Sequence, residues 1–218
     1  MRGTVSAQGD LRSSPDPAPN RVTPTGEIVA IGQRGLFMGN RGSIHRQARE
    51  IARPWQVRRW ITCVLEYKGW VAPKWLPGRW TPLFFWDEAV ALAAGHRPCA
   101  LCRHADYVRW LDGWEAAFGD RPRADPMDLV MHEARVTEQR RQRRHTRPWP
   151  DLPAGTFVAL DDGEVPALVL ADRLVVWSAE GYGPARDRPD RGSATVLTPA
   201  PTVAVLAQGY RPVLHPSA

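Results

Sequence analysis

Three cysteines are the residues of this chain best suited to chemistry: Cys63, and the pair in Cys99-Ala100-Leu101-Cys102. Two thiolates at Cys-x-x-Cys spacing can grip one soft metal ion, and a third from elsewhere leaves a tetrahedral site one ligand short. Six histidines are available to complete it. His45, in Gly42-Ser43-Ile44-His45, and His96, in the loop before Cys99, are the best placed. His104 is less convenient: two residues past Cys102 on one helix, its side chain points to roughly the opposite face. A Cys-x-x-Cys pair also serves thiol redox chemistry, and free cysteine is commonly buried for packing alone. The odd cysteine count and the lack of a secretory signal argue against a disulfide framework.

Local signals say what must position these thiols. Asp87 suits the N-cap of a short alanine-rich helix, Gly95 its C′ position, and Pro98 prevents its continuation. A second helix is expected from Pro98, with Leu101, Ala105, Val108, Leu111 and Phe118 on one apolar stripe. Cys99 and Cys102 would then lie in its first turn, where free N–H groups and the positive dipole end favour thiolates. Trp60-Ile61-Thr62-Cys63-Val64-Leu65-Glu66-Tyr67 reads as a strand. The glycine-rich run from Ile31 to Gly42 lacks the Gly-Lys-Ser/Thr end of a phosphate loop and reads as tight turns leading into His45.

The run Phe84-Phe85, Glu88-Ala89 and Gly95-His96-Arg97-Pro98-Cys99-Ala100-Leu101-Cys102-Arg103 resembles the second half of a known domain. That domain is the metal-binding domain of the bacterial Ada DNA-methylphosphotriester repair family, which ends in Gly-Tyr-Arg-Pro-Cys-x-x-Cys. The likeness covers about residues 81–103. The family uses four cysteines, the first two spaced Cys-x-x-x-Cys, and this sequence lacks that upstream pair. The resemblance implies a Zn(II) site in which Cys63 replaces one member and His45 the other, beside Cys99 and Cys102. In the family one zinc thiolate accepts a methyl group from a DNA phosphotriester. Exchanging a thiolate for an imidazole makes the remaining sulfurs less electron-rich, which works against methyl capture at Cys63.

The formal net charge of +6 and a pI near 9.8 make a polyanion the default partner. Nearly all the cations are arginines, with only Lys68 and Lys74 as lysines, a bias that a GC-rich genome produces without selection for phosphate binding. Clustering is harder to dismiss: Gln139 to Arg147 holds five arginines and no acid. A helix from about Asp125, as N-cap before Pro126, is expected to set Leu129, Val130 and Val136 against the body and project its basic end into solvent. Arg140, Arg141, Arg143 and Arg144 are the candidate phosphate contacts. A second basic stretch carries Arg41, Arg46, Arg49, Arg53, Arg58 and Arg59 with Trp55 and Trp60 between them. Those aromatics either stack on unpaired bases or wall the core around the metal.

The apolar fraction of 43% is that of a folded chain, and no apolar run approaches the roughly 20 residues that span a bilayer. The expected fold class is α+β. Residues 1–25, rich in Pro, Ser and Gly, are expected to form a disordered tail without the apolar core of a signal peptide, which points to the cytoplasm. The resemblance implies an Ada-like zinc-binding domain over residues 26–120, followed by an expected basic helical connector at 121–149 and a small antiparallel β-rich module of barrel-like outline at 150–218. Its strands are read at 156–160, 167–170, 174–177 and 195–197, separated by Asp161-Asp162-Gly163 and Ala171-Asp172-Arg173. A short helix is expected over Pro201–Gln208.

Together these features suggest a zinc-binding protein that binds nucleic acid, DNA before RNA, with no membrane role, in DNA repair or regulation. Two alternatives stand beside it. One is an enzyme: a nuclease or other hydrolase using His132 and Glu133 with the metal, or a methyl acceptor at Cys63. His132-Glu133 lacks the second histidine of a zinc-protease helix, and four protein ligands would close the metal to substrate. The other is a zinc-stabilised protein-interaction module.

Overall fold

The computed structural model describes residues 17–46, 49–72, 75–163 and 165–218. The first half holds, in chain order, β1 (Arg21–Val22), β2 (Ile28–Val29), β3 (Phe37–Asn40), β4 (Ile61–Cys63), the hairpin strands β5 (Glu66–Tyr67) and β6 (Trp70–Val71), β7 (Leu83–Phe85), helix α1 (Glu88–Ala93) and β8 (Arg97–Pro98). Among the described residues one sheet runs β2-β1-β7-β3-β4-β8. Leu83 and Phe85 point inward from β7, as the alternation of a strand requires, onto Val22, Phe37 and Ile44. Part of the expected tail belongs to this sheet: Arg21 and Val22 pair in parallel with Phe84 and Phe85. Residues 1–16 of that tail lie outside the described residues.

The short helix forms as its caps dictate. Asp87 Oδ1 accepts from Val90 N at 2.9 Å, and Gly95 takes the left-handed conformation with φ +84°. All six residues of α1 are buried. Ala91 and Ala94 pack on the first sheet, while Ala89, Val90 and Ala93 meet Phe157, Leu168 and Val175 from the second half of the chain. Small side chains let both layers approach one helix closely.

Two longer helices follow, α2 (His104–Phe118) and α3 (Ala124–Arg135). Helix α2 starts six residues later than Pro98, and its buried face is Tyr107, Trp110, Gly113 and Trp114 rather than the expected stripe. Leu101 and Phe118 are exposed. Helix α3 is also rotated from expectation: Met127, Asp128, Met131, His132 and Arg135 are buried, whereas Leu129 and Val130 face solvent. The reason is polar. Arg97 reaches Asp128 with both ends of its fork, at 2.9 and 2.7 Å, and Arg135 donates to Gly95 O at 2.8 Å. These bonds claim the inner face of α3 for charged groups. The helix ends at Arg135, so the basic run is not its projecting tip. It forms a turn, closed by a Val136–Gln142 bridge, that leads into a strand.

That strand is β9 (His145–Pro148), followed by β10 (Phe157–Leu160), β11 (Val165–Val169), β12 (Arg173–Ser178), β13 (Gly181–Asp187), β14 (Ser193–Val196) and helix α4 (Ala200–Ala207). They form an antiparallel sheet ordered β13-β12-β11-β10-β14-β9. The four expected strands are present. It is an open sheet with β13 and β9 at its edges, not a closed barrel. Helix α4 also reaches beyond it: Val205 and Leu206 join Trp110, Trp114, Met127 and Met131, and a Cβ on Gly113 would meet Val205 Cγ1 at 3.0 Å. The segment 121–149, read as a connector, therefore contributes to a core shared by both halves. No helix among the described residues is long and apolar enough to cross a membrane.

Candidate metal centre and basic groove

Strand pairing brings the cysteines together. β4 and β8 run parallel with Ile61 opposite Arg97 and Thr62 opposite Pro98, so the next residue on each strand is a cysteine. Cys99 N donates to Thr62 O at 2.9 Å and extends the ladder to that level. The chain then turns through Ala100–Arg103, with Arg103 N on Cys99 O at 3.1 Å, and returns Cys102 to the same place. The Sγ atoms of Cys63, Cys99 and Cys102 lie within 4.8 Å of one another. Three sulfurs around zinc, with Zn–S near 2.3 Å and tetrahedral angles, stand about 3.8 Å apart. The three thiols can hold a metal ion with little rearrangement. They sit in a turn before α2, not inside its first turn.

The three thiols shift one another's acidity. Hydrogen bonds from Cys102 and Cys63, aided by Leu101 N at 3.4 Å, pull the Cys99 thiol far below its ordinary range. The same contacts, with Cys102 first, then Cys99 and burial, push Cys63 up. A metal ion displaces the thiol protons and takes all three sulfurs as thiolates.

The scaffold around the turn is charged and buried. Arg103 Nη1 donates to Thr62 Oγ1 at 2.8 Å, next to Cys63, and Nη2 lies 2.8 Å from Glu88 Oε1 and 2.6 Å from Asp106 Oδ2. Glu88 also accepts from Tyr210 Oη at 2.6 Å and Val213 N at 2.9 Å. The turn is thus tied to β4, α1 and the segment after α4. Sequence reading missed this positioning role for Glu88, Arg103 and Thr62. The adjacency of Arg103 to Cys102 was the available signal, and nothing local marked its partners.

The expected fourth ligand, His45, is not brought to the thiols. Strand β3 pairs Met38 with Cys63 and Asn40 with Ile61, so the chain leading to His45 runs away from the cysteine end of β4. His45 Nδ1 instead meets Thr81 Oγ1 at 2.6 Å, and the ring stands edge-on to Trp75. His96 is enclosed by Trp60 and Phe85, with Arg41 Nε on its Nε2 at 3.3 Å. Burial first, then Arg41 and Arg135, keep its imidazole well below the ordinary value. His104 is exposed, with Nδ1 on Ala100 O at 3.1 Å. Among the described residues no histidine or carboxylate joins the three-sulfur group. His132 packs edge-on to Trp55 and faces Arg135 Nη2 at 3.1 Å, while Glu133 is exposed; the suggested hydrolytic set of His132, Glu133 and metal is not assembled.

Two grooves flank these features. One, about 520 Å³, has Cys99 on its wall together with Arg59, Arg97, Arg123 and Asp125. The other, about 880 Å³, is lined by Arg140, Arg141 and Arg144 beside Gln142 and Glu27. Arg140 stacks over Trp55 at 5.3 Å, and Arg144 Nη1 donates to Gly163 O at 2.8 Å. Arg143 bonds Glu133 O at 3.0 Å and lies outside the groove lining. Trp60 is core, with the guanidinium carbons of Arg41 and Arg135 each 4.1 Å from a ring centroid.

Comparison with protein-family models, curated proteins and solved structures finds no match to this chain.

Proposed function

We propose that this is a zinc-binding protein that binds nucleic acid, DNA in the first instance, in a repair-related or regulatory role. The observation that carries the zinc assignment is the convergence of Cys63, Cys99 and Cys102. Thiolates select a soft or borderline ion, and a divalent ion without redox chemistry suits a site built from strand ends and one turn. The ion would pin β4, β8 and the entry to α2. Arg140, Arg141 and Arg144 in a groove beside Trp55 support the nucleic-acid reading, since guanidinium groups bind phosphates and a neighbouring ring accepts a base. The Ada-like stretch adds DNA repair as its biological setting.

Elemental analysis of the purified chain tests the first half, with about one zinc per chain expected. Salt-dependent DNA binding tests the second. Arg140→Ala with Arg141→Ala should weaken binding and flatten the salt slope by about two phosphate contacts. Unchanged affinity and slope would remove the groove as contact surface.

A second reading has its own observation. Only three protein sulfurs converge among the described residues, and one of them, Cys99, borders an arginine-lined groove. A three-ligand zinc keeps a position for water or substrate. Under that reading the centre is reactive, and the thiolate facing a DNA backbone is Cys99 rather than Cys63. A mass gain of one methyl group on methylated DNA, or metal-dependent phosphodiester cleavage, would favour it.

A further inference from the structure

We propose that the protein binds a phosphoryl group in a small buried cavity at the floor of the Arg140 groove, away from the cysteines. The cavity, about 40 Å³, is lined by Arg41, Trp55, Trp60, Arg135, Arg140 and Gln142. Arg140 and Gln142 line the groove as well, so the two spaces adjoin. Its volume is roughly three times what a single water needs.

The lining is built for an anion. Arg41 and Arg135 are each 2% exposed and have no carboxylate within ion-pairing distance among the described residues; Asp128 is near enough to act on Arg135 but is bonded to Arg97. Arg41 spends Nε on His96 and Nη1 on Gly26 O at 2.9 Å, which leaves Nη2 buried without an acceptor. Arg135 spends Nη1 on Gly95 O and Nη2 on Arg58 O, which leaves Nε in the same condition. Trp55 Nε1 is a third such donor. Two buried guanidiniums that share at most one carboxylate already committed to Arg97 are costly, and an oxyanion among them relieves that cost through charge-assisted bonds. Burial pushes Arg41 down to about 9, as expected of a guanidinium with no carboxylate beside it.

One acceptor distinguishes among oxyanions. Gln142 Nε2 donates to Pro24 O at 2.8 Å and Ala93 O at 3.1 Å, which fixes the amide orientation and leaves Oε1 buried without a donor. A phosphoryl group that retains one proton offers that donor, as inorganic phosphate does at neutral pH and a terminal phosphate monoester does in its monoanion, whose second pKa is about 6; sulfate does not. At the mouth, Arg140 is exposed, holds φ +61° and stacks on Trp55, where it can close over the bound group.

The phosphoryl group can come from free phosphate or from the phosphorylated end of a nucleic acid, and the second source rests on the nucleic-acid reading above. Calorimetric titration of inorganic phosphate into the full chain at constant ionic strength should show one saturable site. Arg140→Ala, an exposed position, should weaken it about tenfold, Arg41→Met should abolish it, and sulfate should bind more weakly. A 5′-phosphorylated oligonucleotide binding more tightly than its 5′-hydroxyl counterpart assigns the site to nucleic-acid ends. Phosphate binding without that preference assigns it to free phosphate and leaves the cavity proposal standing while the nucleic-acid reading loses its support here. No phosphate binding by the folded parent, undiminished binding in folded Arg140→Ala, or equal binding of sulfate overturns the proposal.

Discussion

Arg103 places Nη2 2.8 Å from Glu88 Oε1, with both side chains 1% exposed. Arg103 follows Cys102 directly, so this pair anchors the thiol-bearing turn on α1. Removing one member of a buried ion pair strands the other, at a cost of about 3 kcal/mol or more. Glu88→Gln should lower unfolding stability by about that amount in urea titration and loosen the turn. A loss below about 1 kcal/mol would mean that Asp106, 2.6 Å from the same nitrogen, compensates fully.

Metal stoichiometry should separate the candidate ligands. Cys63→Ser, Cys99→Ser and Cys102→Ser are each expected to lose zinc by elemental analysis. His45→Ala is expected to keep it, because His45 is engaged with Thr81 and Trp75. Zinc loss in His45→Ala at retained helix content would restore His45 to the ligand set.

Gly39 lies where β3 meets β4. A Cβ there would come 2.1 Å from Ile61 O, a backbone atom that cannot move aside without breaking the pairing. Gly39→Ala should therefore destabilise by about 3 kcal/mol and reduce zinc retention, since β4 delivers Cys63. Thermal unfolding combined with metal analysis reads both effects.

Stability should fall on mild acidification. Burial, then Arg135 and Arg58, hold His132 down to about 4 from its ordinary 6.5. Between those values the unfolded chain binds a proton that the native chain does not, so stability is full above about pH 6.5 and declines as pH drops toward 4. His96, also held low, acts in the same direction. His132→Gln should flatten part of the slope in urea midpoints measured between pH 7.5 and 5. A parent midpoint that is flat over this range would contradict neutral buried imidazoles.

Local chemistry was legible and long-range polar partnership was not. Asp87 and Gly95 announce α1 because capping depends on neighbours within one turn. The turn residues after Leu160 and Leu170 mark the antiparallel strands for the same reason. Strand β13 was missed because Gly181-Tyr182-Gly183-Pro184-Ala185-Arg186-Asp187 carries little β-branched character and lies at an edge, where pairing with β12 imposes the conformation. The face of α3 was misjudged because Leu129 and Val130 look like core residues, whereas Asp128 goes inside only by meeting Arg97 from 31 residues away. At the candidate site, the cysteines were identified as one group from residue type and spacing. The placement of His45 depends on strand direction, which no local pattern near it reports.

Helix α4 has a consequence for how the chain matures. Its Val205 and Leu206 cover Trp110 and Met131, yet 64 residues separate the end of α3 from the start of α4. During synthesis the apolar faces of α2 and α3 leave the ribosome well before the helix that shields them. At about 5–20 residues per second that interval is several seconds, long enough for a chaperone to engage the nascent chain. The cysteine turn precedes both helices and emerges earlier still, so metal loading on the nascent chain would steady one side of this waiting core.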